Sequence, residues 1–136
     1  MARSMLAHII RSQHRAEQHL RMRQQALLEV ARATIALRRS GENPALLSSK
    51  EQELTSCILG ENDSSSLYQV IDENAQLLAL PMDILSLIFR RFNELGERTT
   101  RVLEWYASMI MFYGDPSDWP AADELLAEAK ALKSIP

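Results

Sequence analysis

Residues 4–39 read SMLAHIIRSQHRAEQHLRMRQQALLEVARATIALRR, a run of thirty-six positions without a proline or a glycine. Ala, Leu, Gln, Glu and Arg fill it, and these lose little side-chain freedom in a helix. Stepping by three and four from Leu6 gives Leu6, Ile9, Gln13, Ala16, Leu20, Arg23, Leu27, Val30, Thr34 and Leu37, seven of them apolar. The stretch is therefore predicted to be one amphipathic helix with a coiled-coil-like seam. At about 1.5 Å per residue it would run roughly 54 Å, more than a compact domain of this size needs. Part of it is expected to project or to pair with another chain. Gly41 and Pro44 then follow in the order that ends a helix.

Composition carries the same fold class through the rest of the chain. Its 136 residues suit one domain, and 46% hydrophobic with 24% charged residues is globular rather than disordered. Four glycines and few β-branched runs favour helix, so the expected class is all-α, a long N-terminal helix followed by a bundle of four to five shorter ones. A capping box at Ser48 and Glu51 predicts a short helix over 48–59, and a second at Ser66 and Gln69 one over 66–80. Pro81 opens a helix that is apolar almost all round and runs to Gly96. Thr99 or Thr100 opens another, carrying Trp105, Tyr106, Met109, Phe112 and Tyr113, and Pro120 the last. Three regions result, 1–40, 41–65 and 66–136, within one cooperative unit.

Charge is divided unevenly. Up to residue 39 eight arginines face two glutamates, leaving +6; beyond it seven basic residues face sixteen acidic ones, leaving −9. The two parts are electrostatically complementary. The most apolar stretch, 77–89, is interrupted by Pro81 and Asp83 and falls short of the ~20 residues of a membrane span. Residues 5–10 are followed by Arg11 and Arg15 without a small-residue cleavage site, so no secretory signal is read. One cysteine, Cys57, makes no internal disulfide and suits a reducing, cytoplasmic setting.

Chemistry is sparse. No glycine-rich phosphate loop, nucleophile elbow or His-Glu-x-x-His helix is present, and no catalytic residue, cofactor or metal is predicted. His8, His14 and His19 lack the i, i+4 spacing of helical metal ligands. Cys57 reads as a small buried hydrophobe. The arginine face of the first helix admits phosphate contact, but residues 1–39 hold no aromatic for stacking on bases. Its seam also lacks the Trp or Phe of a membrane-surface helix. Protein contact is the preferred reading, with charges flanking an apolar seam to select a partner. The expected partner-binding residues are Leu6, Ile9, Leu20, Leu27, Val30, Arg21 and Arg23 on the first helix, with Trp105, Met109, Phe112 and Trp119. Positions 105, 109 and 112 and positions 106, 110 and 113 form two adjacent stripes, wider than one core-facing side requires. The function expected is a non-enzymatic subunit of a hetero-oligomer; a nucleic-acid-binding accessory protein or a small assembly chaperone are the alternatives.

Two resemblances follow from short motifs. Phe92, Leu103-Glu104-x-Tyr106, Gly114-Asp115-x-x-x-Trp119 and Glu124-Leu125 resemble the C-terminal part of subunit one of the lysosome-related-organelle biogenesis complex. That resemblance implies a small coiled-coil subunit of a cytoplasmic assembly acting in endosome and lysosome positioning. Leu80-Pro81-x-Asp83-Ile84-Leu85, Ile88-Phe89, Val102 and Trp105 are similar to the F-box, which implies docking of this helix on an adaptor protein.

Overall fold

The computed structural model describes residues 2–73 and 80–134; within the first helix, most side chains before residue 26 fall outside the described set. The described residues form six α-helices and one 3-10 turn, with no strand among them. These are α1 (Ala2–Ser40), α2 (Pro44–Gly60), α3 (Ser64–Asp72), α4 (Met82–Glu94), α5 (Thr100–Tyr113) and α6 (Trp119–Lys133), with the 3-10 turn at Pro116–Asp118.

The helix boundaries follow local chemistry. Gly41 sits at φ +65°, the left-handed conformation that glycine adopts without strain, and its N–H donates to the Leu37 carbonyl at 3.1 Å. Asn43 then caps α2, its side-chain oxygen accepting from the Leu46 N–H at 3.1 Å, and Pro44 takes the first helical position. α2 therefore starts four residues before the predicted Ser48 cap. α3 likewise starts at Ser64 under an Asp63 cap rather than at Ser66, which is buried with its hydroxyl unpartnered. In both places the true cap is an Asx residue in extended or non-helical backbone, and Ser48 and Ser66 are already inside a helix. The predicted end of the third helix near residue 80 lies mostly outside the described residues. Gly96 at φ +79° ends α4, with Gly96 N–H donating to Asn93 and Glu97 N–H to the Phe92 carbonyl at 2.8 Å. That pair of bonds is a Schellman motif. Thr99 caps α5 by accepting from Val102 N–H.

One principal core joins five helices. Leu27, Ala31 and Ile35 of α1 meet Leu54 and Ile58 of α2, Leu67, Val70 and Ile71 of α3, Leu85, Ile88 and Phe92 of α4, and Val102 and Trp105 of α5. Fully burying side chains of this size stabilises by roughly 1.5–3 kcal/mol each before entropy is subtracted. α6 attaches through a smaller cluster in which Ala107 and Ile110 of α5 meet Ala122. Small residues on both helices let their backbones approach closely.

Among the described side chains of α1, the part that belongs to this core begins at Leu27. Leu27, Val30, Ala31, Thr34 and Ile35 are buried against α2 and α3, whereas Ile9, Ile10, Arg11, Gln13, Arg15 and Ala26, the described side chains before Leu27, are all exposed. Of the predicted seam, Leu27, Val30 and Thr34 are therefore covered within this chain, while Ile9 and Gln13 are uncovered. Leu27 and Val30 were assigned to a partner; they are interior residues of this chain, Leu27 only 2% exposed. Periodicity marks the apolar stripe of a helix, but it is the same whether that stripe meets another chain or α2 and α3 of its own.

Candidate interaction surface

Two grooves flank α5. The first lies between α4, α5 and α6 and encloses about 760 Å³. Its apolar wall is a stack of Phe89 on Tyr106, ring centroids 4.2 Å apart, continued by Met82, Ile110 and Leu125. Aromatic pairing contributes about 0.5–1.5 kcal/mol beyond area burial. Arg98 is part of the lining. Its guanidinium donates to both Glu128 oxygens, Nε to Oε1 at 2.9 Å and Nη2 to Oε2 at 2.7 Å, while Nη1 reaches Asn93 Oδ1 and the charge lies 5.6 Å from the Phe89 ring centre. These hydrogen bonds hold the Glu128 carboxyl below the usual carboxylate range and raise Arg98 above its ordinary value. Asp83, Asp118 and Glu124 complete the lining, and none of them has a cationic partner among the described residues.

The second groove, of about 480 Å³, is bounded by Ile71, Trp105, Met109, Phe112 and Tyr113. Trp105 and Met109 are core residues whose edges form its floor, and the Trp105 indole N–H is buried without a hydrogen-bond partner. Such a donor ordinarily finds an acceptor. Beyond the floor the aromatic surface is open: Phe112 is 76% exposed, and Met111, Tyr113 and Trp119 are exposed as well. Ion pairs of Arg101 with Asp72 and of Lys133 with Glu104 border it. Arg101 also lies over the Tyr68 ring, 4.7 Å from its centre.

The residues expected to bind a partner are thus divided. Phe112 and Trp119 are exposed; Trp105 and Met109 are interior and reach the surface only as groove floor. Ile9 is 51% exposed, and the side chains of Leu6, Leu20, Arg21 and Arg23, like those of the three histidines, lie outside the described set. Sequence reading missed the acidic lining. Its signal was present in the spacing of Asp118, Ala121, Glu124, Leu125 and Glu128, which recur at three and four residues and so share one face. Acidic residues on that face read as ordinary solvated charge until α4 and α5 are placed opposite.

Cys57, read as a small buried hydrophobe, is only partly buried and packs against the edge of the main core. Burial, then the nearby Glu53 and Glu61, push its thiol up from the ordinary range, so it stays protonated and weakly nucleophilic at neutral pH. Among the described residues no cluster of His, Cys, Asp and Glu is arranged to hold a metal ion, and no helix is long and apolar enough to cross a membrane. Compared with protein-family models, with curated proteins and with solved structures, the chain matches none.

Proposed function

We propose that this protein is a non-enzymatic assembly subunit that joins other protein chains through the exposed end of α5 and the first part of α1. The observation that carries the reading is Phe112, a large aromatic 76% exposed beside Met111 and Tyr113, at the mouth of a groove floored by Trp105 and Met109. Aromatics and methionine are enriched at protein interfaces, and a contiguous exposed cluster of them is uncommon on a surface that meets only water. The basic first part of α1 adds a second surface, since Ile9, Ile10, Arg11 and Arg15 are all uncovered. The resemblance of residues 92–125 to a lysosome-related-organelle complex subunit supports a cytoplasmic hetero-oligomer in vesicle or organelle positioning as the setting.

Affinity purification of the full chain, with Phe112→Asp as comparison, tests this. The expected result is a stoichiometric partner retained by the wild type and lost from a variant that unfolds at the same temperature. Identical co-purifying proteins for both, or none for either, would count against the reading.

A further inference from the structure

We infer that the acidic groove between α4, α5 and α6 receives the basic first part of α1 from a second copy of this chain. This names one partner for the assembly role above and rests on that reading.

The groove has the composition of a site for an amphipathic basic helix. Its wall is apolar, the Phe89 and Tyr106 stack with Ile110 and Leu125, and its lining carries the carboxylates of Asp83, Asp118 and Glu124 without cationic partners among the described residues. Glu128 is the neutralised member, held by Arg98. Three acidic groups around an apolar trough oppose any anionic occupant and favour one that brings both cations and aliphatic side chains.

The chain carries such a segment. Residues 1–25 contain Arg3, Arg11, Arg15, Arg21 and Arg23 against the single acid Glu17, with Leu6, Ile9, Ile10 and Leu20 interspersed. Arg11 and Arg15 lie one turn apart on one side of the helix, and both are exposed, as are Ile9 and Ile10. At 1.5 Å per residue the helix before Leu27 has a reach of roughly 37 Å.

Its own groove is the wrong target. α1 is continuous from Ala2 to Ser40 and packs on α2 and α3, whereas the groove is built from α4, α5 and α6. Turning the first part back would break a helix that contains no proline or glycine. A second copy satisfies both requirements, and reciprocal exchange gives a closed two-fold pair rather than an open filament. Because the contact is charge-assisted and partly exposed, it weakens as salt is added.

Sedimentation of the full-length protein across a range of concentration and salt tests the inference, with two charge-reversed variants at exposed positions. One carries Arg11→Glu with Arg15→Glu, the other Asp118→Lys with Glu124→Lys; circular dichroism checks that both remain helical. The wild type is expected to dimerise at low salt. Each variant alone should self-associate roughly a hundredfold more weakly, since like charges are placed in opposition. Mixing the two should restore the dimer, because every helix then finds a groove of opposite sign. A wild type that stays monomeric at all concentrations overturns the inference, as does a dimer that neither variant weakens or a mixture that fails to recover it. Phe112→Asp separates the two readings, since it leaves this dimer intact while abolishing capture of other proteins.

Discussion

Arg98 and Glu128, thirty residues apart in sequence, are joined by a forked hydrogen bond that ties the loop after α4 to the middle of α6. α6 also packs on α5 through Ala107, Ile110 and Ala122 and pairs Lys133 with Glu104, and the Arg98–Glu128 pair adds a second polar tie at the acidic groove.

The pH dependence of that link has a defined direction. Glu128 titrates below the ordinary carboxylate range, chiefly through the Arg98 hydrogen bonds. A carboxylate depressed on folding adds stability that is fully present above its unfolded pKa, near 4.5, and lost as pH falls through the lower folded value. Glu128→Gln should therefore melt below the wild type at pH 7, with the gap closing as the buffer is taken below about pH 4. A gap that stays constant across that acid range would show that the charge plays no part.

Leu27 separates interior from exposed surface on α1. Being 2% exposed in the main core, Leu27→Ala should lower unfolding free energy in urea by about 2–5 kcal/mol, while Ile10→Ala, more than half exposed, should change it by less than about 0.5 kcal/mol. Equal effects from the two would contradict this packing.

Ser66 tests where α3 begins. Its buried hydroxyl has no partner, so Ser66→Ala should be neutral or stabilise by up to about 1 kcal/mol, whereas Asp63→Ala removes the bond to Ser65 N–H and should cost about 1 kcal/mol. Chemical denaturation of both variants decides it: a cost at Ser66 would restore that residue as the cap.

Gly114 is required by space. A Cβ placed there would lie 2.5 Å from the Ile110 carbonyl oxygen, the acceptor of the Gly114 N–H, while one at Gly60 meets nothing within 4 Å. Gly114→Ala should destabilise by about 1–3 kcal/mol and Gly60→Ala should be neutral or stabilise by up to about 1 kcal/mol, both read from thermal unfolding.

Much of the fold was legible in the chain. Gly41, Gly96 and Thr99 occupy the stops and the start that their chemistry demands, and the helix after Pro81 is as central as its apolar content required. The starts of α2 and α3 were misplaced because Ser-x-x-Glu and Ser-x-x-Gln patterns occur inside helices as readily as before them. At the candidate surface, Phe112 was singled out by its position on stripes wider than one core-facing side requires, and Trp119 was named beside it; both are exposed. Asp83, Asp118 and Glu124 were not singled out, because they come from two helices and the turn between α5 and α6, and nothing local marks their convergence.

The sequence by itself determined a helical chain, the stops at Gly41 and Gly96, and a basic first part set against an acidic remainder, since propensity, glycine backbone freedom and formal charge are local properties. Packing of distant helices decided that Leu27 and Val30 face inward, that among the described side chains of α1 the core begins at Leu27, and that an acidic groove forms around Phe89 and Tyr106. Burial and groove formation depend on which surfaces of distant helices meet, and the 3.6-residue period of a single helix is identical for either partner.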